Sequence, residues 1–247
     1  MRKVLVLTEQ KGWHFHQLEK SFLKKQIKME SFNLTDMSLS LVENENKVFA
    51  NGKELNDITD VLVRFIPNGT LEEIVTYLNI LKVFKMKGVN VMNSAENIEL
   101  TVDKSLTTAL LNQKDIYTPQ TWVIRGIKET KRLVKKLLEK HSLIYKPIFG
   151  SQGNDVKKIE NIQDLESITN NTNIYYLQEF LHTKPFHDYR VLVIKNINQQ
   201  KIFSMIRYGK SYVSNFSKGA KCMPVELDTK LTETALSAAT VFDLPLC

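Results

Sequence analysis

The chain has few cysteines, no long apolar run and no metal-ligand spacing, and each absence excludes a class of protein. Cys222 and Cys247 are the only two cysteines among 247 residues, which argues against a disulfide framework and against a zinc site. No apolar stretch approaches the length that crosses a membrane, and the first apolar run is too short for a signal peptide. The five histidines are scattered without metal spacing. We therefore expect a cytoplasmic protein without a membrane partner.

The charge balance of the chain is basic. The sequence has 34 Lys and Arg against 27 Asp and Glu, a formal net charge of +7, which favours anionic partners such as nucleotides. Much of the excess lies in helix-like stretches such as 131–140, where a solvated helix face is a simpler explanation than a nucleic-acid groove. We do not expect nucleic acid to be the partner, and a nucleic-acid-binding protein stays an alternative that depends on net charge alone.

Residues 1–95 have the pattern of an α/β domain. Apolar runs at 4–7, 61–66 and 89–92 alternate with helical periodicity at 17–27 and 70–87, which predicts a mostly parallel sheet. No G-x-G-x-x-G sequence follows the first run, so a dinucleotide-binding fold of the Rossmann type is disfavoured.

Local signals mark the ends of one helix and one hairpin turn in this part of the chain. Thr70 stands at the N-cap of the second helix, with Glu73 at the capping-box position and Gly88 beyond the helix end. Residues 48–50, followed by Asn51-Gly52, predict a hairpin strand with a two-residue turn.

Arg64 lies inside the apolar run 61–66. An arginine within a buried strand is costly unless it is paired or reaches a cleft from the strand end. Either a structural ion pair or a bound anion would satisfy Arg64, and the sequence does not decide between them.

A lysine and a glycine-containing loop are central to the rest of the chain. An apolar run ends at Lys146, the loop after it contains Gly150, Ser151 and Gly153, and a second apolar pattern follows. Glycines let backbone N–H groups approach an anion, and the lysine adds a positive charge, so the loop suits a polyphosphate. The same turn is also typical of a plain β-hairpin.

After residue 95 the pattern continues with further helices and strands. Helices are expected at 94–101, from 103 onward, and at 128–140, 162–168 and 232–242; strands are expected at 121–124, 143–147, 175–180, 188–194 and 202–207.

Four short motifs follow one another in an order that suits a nucleotide site. Two lysines neutralise phosphates, a strand edge offers backbone groups to a purine, and a carboxylate after it binds ribose hydroxyls. No Walker A sequence is present. The motifs are Asp103-Lys104, Lys146 with its glycine loop, Gln178-Glu179-Phe180 and Asp188-Tyr189-Arg190.

With these motifs the chain resembles the ATP-grasp superfamily and, within it, the RimK-type ligases that attach amino acids such as glutamate to a carboxylate. The resemblance implies an N-terminal α/β domain, 1–95, followed by an ATP-grasp fold of two α+β subdomains, 96–181 with the glycine loop and 182–247, the last one incomplete. The segment 64–94 is most similar to the archaeal branch that glutamylates tetrahydromethanopterin or a related coenzyme. Further matching positions are Asn93-Ser94, Arg207, Ser214-Asn215 and Gly219.

The resemblance implies a role for each matching residue. Arg207 and Asn215 would be catalytic, facing the γ-phosphate and the carboxylate substrate. Arg64, Arg190 and Arg207 would bind substrate. The residues implied to bind ATP are Lys104, Lys146, Gly150, Ser151, Gly153, Gln178, Glu179, Phe180, Asp188, Val213, Ser214 and Asn215.

The implied reaction phosphorylates a carboxylate with ATP and then replaces the phosphate with an amine. The expected partners are ATP, an amino acid and a carboxylate acceptor that is a small molecule, a peptide or a protein. L-glutamate is the expected amino acid. A homo-oligomer is compatible with the sequence. Phosphoryl transfer depends mostly on positioning and charge neutralisation, so lysines and arginines matter more than a protein nucleophile.

Two departures from the family pattern qualify these expectations. Tyr212-Val213 stands where relatives commonly carry an arginine. ATP and Mg²⁺ are the implied cofactors, but the family's magnesium ligands lie beyond Cys247, so we assign no metal ligand within the chain. We expect a fragment of a longer ligase, or a module that binds nucleotide without efficient turnover.

Overall fold

The computed structural model describes residues 2–150, 153–169, 172–196, 198–212 and 219–247. The chain divides into two compact units, Met1–Glu99 and Leu100–Cys247. The first unit contains a parallel sheet flanked by helices, and the second contains two antiparallel sheets with helices. This agrees with the predicted fold class, an α/β part followed by an α+β part.

The first unit contains a four-stranded parallel sheet with the order β2-β1-β6-β7 and a three-stranded antiparallel sheet with the order β3-β4-β5. The last helix, α3, crosses the boundary between the units. The elements in chain order are β1 (Lys3–Leu7), α1 (Trp13–Lys24), β2 (Lys28–Phe32), β3 (Met37–Val42), β4 (Glu45–Ala50), β5 (Lys53–Glu54), β6 (Asp60–Val63), α2 (Leu71–Met86), β7 (Asn90–Met92) and α3 (Ala95–Val102).

Strand β1 is buried on both faces, as expected for a central parallel strand. Leu5 and Leu7 pack into the cluster that includes the apolar face of α2, whereas Val4 and Val6 pack with Phe15 of α1. The alternation follows from the period of two along a strand. Helices therefore cover both faces of the parallel sheet.

Helix α1 differs from its predicted bounds of 17–27. It begins four residues earlier, at Trp13, and the chain leaves the helical conformation at Gln26, which has a φ of 54°. Leu23, predicted on the apolar face, is 76% exposed, whereas Phe22 and Ile27 pack against the sheet. The apolar face contains Phe15, which lies before the predicted start.

Helix α2 has the predicted capping box. The Glu73 amide donates to Thr70 Oγ1 at 3.3 Å, and the Thr70 amide donates to Glu73 Oε2 at 2.7 Å. Gly88 follows the helix with a φ of 79°, a conformation that a residue without a Cβ adopts readily. These local signals fix both ends of the helix that covers the sheet.

The predicted turn at Asn51-Gly52 is confirmed, because both residues have positive φ and join β4 to β5. A second hairpin, between β3 and β4, was not predicted. Its turn residues, Glu43 and Asn44, have φ values of 50° and 67°. This turn lacks a glycine, which is why it carries no hairpin signal in the sequence.

The predicted strand at 61–66 ends earlier than expected. Strand β6 stops at Val63, and Arg64 is an exposed residue at the carboxyl end of the strand, with its amide donating to the Leu7 carbonyl at 2.9 Å. The cost of burying an arginine inside a strand therefore does not arise. Ligands of α/β proteins commonly bind at this end of a parallel sheet.

The second unit contains two antiparallel sheets, with the orders β10-β9-β11-β8 and β12-β13-β14. Most of its helices and strands lie within a few residues of the predicted ones, but the strand Lys221–Pro224 was not predicted. The elements are α4 (Lys104–Gln113), β8 (Thr121–Arg125), α5 (Ile127–Leu137), β9 (Leu143–Lys146), β10 (Lys157–Ile159), α6 (Ile162–Glu166), β11 (Ile174–Glu179), β12 (His187–Lys195), β13 (Gln200–Tyr208), β14 (Lys221–Pro224) and α7 (Thr229–Val241).

Strand β11 has one face in the core and the other towards a polar cavity. Tyr175 and Leu177 are buried in the cluster formed with α5 and α6. Tyr176 and Gln178 lie on the opposite face by alternation. Strand β9 also has two different faces, because its core residues Leu143 and Tyr145 alternate with Lys146. The two strands thus bring polar side chains to one surface while they complete a hydrophobic core on the other.

The final residues extend the second sheet along the outer side of β12. The Val193 amide donates to the Cys247 carbonyl at 2.7 Å, and the Cys247 amide donates to the Val193 carbonyl at 2.9 Å. Pro245 accepts from the Lys195 amide at 2.8 Å. Helix α7 precedes this segment and packs against β12. None of the helices within the described ranges is long and apolar enough to cross a membrane.

Candidate functional site

A cavity of about 560 Å³ in the second unit is lined by residues of both of its sheets. Its volume lies in the range of small-molecule and cofactor sites. Side chains of β9 and β11 form one wall, and side chains of β12 and β13 form another. The lining residues are Lys104, Pro119, Ile144, Lys146, Pro147, Gly150, Gly153, Asn154, Val156, Gln178, Glu179, Phe180, Leu181, Asp188, Arg190, Arg207 and Tyr212.

Lys104 is the first residue of α4 and points to the glycine loop. Asp103 caps the helix, because its Oδ1 accepts from the amides of Ser105 and Leu106 at 2.7 and 3.1 Å. Lys104 Nζ donates to the carbonyls of Ile148 and Gly150, both at 2.9 Å. Burial lowers the pKa of the Lys104 ammonium, and the charge of Asp103 partly opposes this. In this arrangement the Lys104 side chain binds the backbone carbonyls of the loop.

Lys146 is at the end of β9. Its Nζ donates to Gln178 Oε1 at 2.6 Å. Burial lowers the pKa of the Lys146 ammonium, and repulsion from Lys104 lowers the pKa further. Both lysines donate to uncharged acceptors. These contacts therefore do not neutralise the two neighbouring positive charges. Such a pair favours an anion.

The side chain of Gln178 lies in a buried network of hydroxyl and amide groups. Its Nε2 donates to Thr121 Oγ1 at 3.0 Å and to the Tyr176 hydroxyl at 3.2 Å. The Tyr176 hydroxyl is 2.9 Å from Thr108 Oγ1 in α4. We call Thr121, Gln178, Tyr176 and Thr108 the hydroxyl–amide network. It connects β8, β11 and α4 behind the cavity wall.

Glu179 and Phe180 lie where β11 ends. Their amides donate to the carbonyls of Gln120 and Ser142, at 2.8 and 2.7 Å. The Glu179 carboxylate is 3.3 Å from His141 Nδ1. The ring of Phe180 meets that of Tyr212 edge to face at 5.9 Å between centroids. This part of the cavity has an aromatic wall, which suits a planar apolar group.

Asp188 and Arg207 form an ion pair across β12 and β13, where they stand opposite each other. Arg207 Nε and Nη2 donate to the two carboxylate oxygens at 2.8 and 2.6 Å. Arg190 Nε lies 3.5 Å from Asp188 Oδ1. The hydrogen bond from Arg207 to Asp188 raises the pKa of the guanidinium, whose side chain is 12% exposed. Two residues with separate predicted roles are therefore partners in this structure.

The structure brings most of the predicted site residues together. Arg64 lies in the first unit, and Ser151, Val213, Ser214 and Asn215 lie outside the described residues. The predicted residues that line the cavity are Lys104, Lys146, Gly150, Gly153, Gln178, Glu179, Phe180, Asp188, Arg190 and Arg207.

Several lining residues were not predicted. Ile144 lies two positions before Lys146 on the same strand, so strand alternation was a signal that could have found it. Tyr176 and Thr108 stand just behind the wall and resemble core and helix residues in sequence. The lining residues that were missed are Pro119, Ile144, Pro147, Asn154, Val156, Leu181 and Tyr212.

The described residues do not provide a magnesium site. Asp188 and Glu179 are the carboxylates in the described lining, and Asp188 is paired with two arginines while Glu179 contacts His141. No cluster of three or more His, Cys, Asp or Glu side chains that could hold a metal occurs in the described segments. Magnesium prefers free oxygen ligands. We therefore derive no step through a protein-bound metal.

Comparison with known proteins gives matches along both units. A model of the RimK-like ATP-grasp domain matches residues 101–247, and a model of the RimK pre-ATP-grasp domain matches residues 1–98. The sequence is 25% identical over 207 residues to the tetrahydromethanopterin:alpha-L-glutamate ligase of Methanosarcina acetivorans, covering 76% of this chain and 62% of that protein. The chain thus spans less than two thirds of that relative.

A second relative and a solved structure are similar over most of the chain. The alpha-aminoadipate–LysW ligase LysX of Saccharolobus solfataricus is 27% identical over 197 residues, covering 76% of this chain and 68% of that protein. The ATP-grasp ligase PsnB, in a complex with minimal precursor, Mg and ADP, has a similar fold with a TM-score of 0.66 at 17% identity, covering 99% of this chain and 82% of that one.

Proposed function

The chain belongs to the RimK-like ATP-grasp family, and from this premise we propose that it binds ATP in the cavity of its second unit as part of a carboxylate–amine ligase. The resemblance and the ATP-grasp fold predicted from the motifs are confirmed by the family match and by the similar fold of PsnB. The matched ATP-grasp segment, 101–247, includes every described residue that lines the cavity.

The pair of partly buried lysines carries the proposal. Lys104 and Lys146 are close enough for repulsion to lower the pKa of Lys146, and their present acceptors are carbonyl and amide oxygens. A polyphosphate would replace these neutral acceptors with charged ones, and hydrogen bonds to charged groups are stronger. Arg190 and Arg207 add positive charge on the opposite wall. The aromatic wall at Phe180 offers a place for the adenine.

We assign the chemistry as follows. The lysines and the loop around Gly150 and Gly153 hold the phosphates while a substrate carboxylate approaches the γ-phosphate near Arg190 and Arg207. Transfer of the phosphoryl group gives an acyl phosphate and ADP; the amine then attacks the acyl carbon, loses a proton and releases phosphate. Positioning and charge neutralisation supply most of the rate enhancement in such transfers. Asn215 is assigned a role by the family resemblance alone.

The proposed substrates are an amino acid, with L-glutamate as the leading candidate, and a carboxylate of a coenzyme, peptide or protein. The names of the two relatives support this class, because one is a tetrahydromethanopterin:alpha-L-glutamate ligase and the other an alpha-aminoadipate–LysW ligase. Their acceptors differ, so the proposal stops at the class. Nucleotide binding without turnover is a second candidate, favoured by the pairing of Asp188 with Arg207 and Arg190.

Trapping the acyl phosphate with hydroxylamine tests the proposal whichever amine is the natural substrate. The chain is incubated with ATP, Mg²⁺, hydroxylamine and a series of carboxylates, including peptides that end in glutamate, and ADP and hydroxamate are quantified. We expect saturable ATP binding by calorimetry, and equal amounts of ADP and hydroxamate with the correct carboxylate. ATP binding without either product would select the second candidate, and absence of ATP binding would refute both.

Arg190 provides a variant for locating the carboxylate. Its side chain is 54% exposed and lines the cavity, so Arg190→Gln should preserve the fold. We expect Arg190→Gln to raise the KM for the carboxylate about tenfold or more, as loss of a charged hydrogen bond predicts, with ATP affinity nearly unchanged. Arg132→Gln, at a 71% exposed side chain of α5, is the matched control. Equal KM values for both variants would place the carboxylate elsewhere.

A further inference from the structure

We propose that Tyr176 and Thr108 are positioning residues that hold Lys104 and Lys146 at the spacing a polyphosphate requires. The inference depends on the proposed function, because it assumes that both lysines bind phosphate. Lys104 belongs to α4 and Lys146 to β9, which are separate elements. Since the two ammonium groups repel each other, their proximity has to be maintained by other contacts.

The contacts that connect the two lysines have a defined direction. Lys146 Nζ donates to Gln178 Oε1 at 2.6 Å, which leaves Nε2 of the same amide as a donor to the Tyr176 hydroxyl at 3.2 Å. Thr108 Oγ1 donates to the Lys104 carbonyl at 2.7 Å. Because the Thr108 hydrogen is used there, the Tyr176 hydroxyl is the donor in their 2.9 Å contact. Four hydrogen bonds thus lead from the Lys146 ammonium to the Lys104 backbone.

The orientation of the Gln178 amide is fixed from its other side as well. Its second Nε2 hydrogen goes to Thr121 Oγ1 at 3.0 Å, and Thr121 Oγ1 donates its own hydrogen to the Pro119 carbonyl at 2.9 Å. A lysine ammonium has only donors, so the amide oxygen has to face Lys146. Every hydrogen bond between the lysines therefore has one compatible direction.

Burial makes these bonds effective constraints. Tyr176 is 2% exposed and Gln178 is 8% exposed. Hydrogen bonds shielded from water are electrostatically stronger, and an unpaired buried polar group is costly. A displacement of α4 relative to β11 would break the contact between Tyr176 and Thr108, so the network opposes any change in the spacing of the two lysines.

The neighbouring tyrosine provides a matched control. Tyr175 lies on the other face of β11, in the hydrophobic core, with its ring 6.3 Å from that of Tyr145. Tyr175→Phe and Tyr176→Phe remove the same atom from adjacent residues of one strand. Only Tyr176→Phe removes it from the hydroxyl–amide network.

The test compares three ligands: ATP, inorganic tripolyphosphate and adenosine. Each of Tyr176→Phe and Thr108→Val removes two hydrogen bonds of the chain between the lysines, one of which is shared. We expect each variant to weaken ATP and tripolyphosphate binding about fivefold or more and to leave adenosine binding within about twofold. Thr108→Ser, which keeps the hydroxyl, and Tyr175→Phe should both bind like the wild type. The double variant Tyr176→Phe/Thr108→Val should lose little more than either single variant, because either substitution alone already breaks the connection between the two lysines.

Several outcomes would overturn the positioning role. Wild-type tripolyphosphate binding by Tyr176→Phe, an equal loss for Tyr175→Phe, or an equal loss of adenosine binding would each do so. Thermal unfolding of every variant identifies any loss that follows from an unstable fold. Thr108→Val keeps the shape of the side chain and Thr108→Ser keeps its hydroxyl, so the pair separates packing from hydrogen bonding.

A second measurement separates this inference from the proposed function. The pKa of Lys146 is read by NMR titration of the chain with isotope-labelled lysines, without any ligand. We expect Tyr176→Phe to change the Lys146 pKa and Tyr175→Phe to leave it unchanged. If the wild type binds neither ATP nor tripolyphosphate, the proposed function fails; an unchanged Lys146 pKa in Tyr176→Phe would independently refute the coupling between network and lysine.

Discussion

Replacing Lys146 with methionine should remove ATP affinity without destabilising the fold. Methionine keeps most of the apolar stem of lysine and removes its charge. In the folded chain that charge is disfavoured, because burial and repulsion from Lys104 both lower the pKa of Lys146. Its one described hydrogen bond is the 2.6 Å contact with Gln178. Under the proposed function, this poorly solvated charge contributes to ATP binding and not to folding.

The two effects on stability in Lys146→Met oppose each other. Removing the charge relieves its desolvation and the repulsion from Lys104, whereas the lost hydrogen bond to Gln178 costs about 1 kcal/mol. We therefore expect a free energy of unfolding within about 1 kcal/mol of the wild type. The effect on binding has no such compensation. A charged hydrogen bond to phosphate contributes about 1.5 to 3 kcal/mol, which corresponds to a loss of ATP affinity of about 10- to 150-fold.

Calorimetric titration with ATP and urea denaturation measure the two quantities on the same protein. Lys136→Met, at an exposed position of α5, changes the net charge equally and should alter neither. If Lys146→Met bound ATP within about twofold of the wild type, the cavity would not hold the phosphates at this lysine. A loss of more than about 2 kcal/mol in unfolding free energy would instead show that the charge supports the fold.

Three further predictions concern pH and ion pairing. The Asp60 carboxylate has a pKa of about 2 in the folded chain, lowered mainly by its hydrogen bond to Arg2. The stability that it adds, about 1 to 2 kcal/mol above pH 4, should be lost as pH falls towards 2. In urea denaturation, the unfolding free energy of Asp60→Asn should not fall in this way with pH. Asp188→Asn should destabilise the chain by about 2 kcal/mol, because it leaves the poorly exposed Arg207 guanidinium unpaired. The loss should be smaller when Asp188→Asn is combined with Arg207→Gln, and additive losses in thermal denaturation would contradict this. ATP binding in alkaline buffer should take up protons, because phosphate restores the lowered pKa of Lys146; equal binding enthalpies in buffers of different ionisation enthalpy would refute it.

Local signals made much of this fold predictable from the sequence. The capping box at Thr70 and Glu73 and the turn at Asn51-Gly52 are properties of a few adjacent residues, so the sequence was enough to place them. The turn at Glu43-Asn44 was missed because it lacks the glycine of the usual Asn-Gly signature. The start of α1 was misplaced because its apolar face begins at Phe15, before the periodic part that was recognised.

The candidate site was predictable in its members and not in its pairings. Lys104, Lys146 and Gln178 were identified from motif order, and they line one cavity. The contact between Lys146 and Gln178 spans 32 residues and depends on how β9 and β11 pair in the sheet. Motif order does not contain that register. The ion pair between Asp188 and Arg207 was not predicted for the same reason, because it follows from the register of β12 and β13.

The two-faced character of β11 limits how its sequence can vary in length. A residue inserted early in this strand would reverse the faces of everything after it, because successive side chains point to opposite sides. Gln178 would then turn towards the hydrophobic core, and Leu177 would face the cavity in its place. Substitutions that keep the polarity of each face are compatible with both roles of the strand. Insertions and deletions of a single residue would damage the core and the site together, so β11 should vary in composition among related proteins far more than in length.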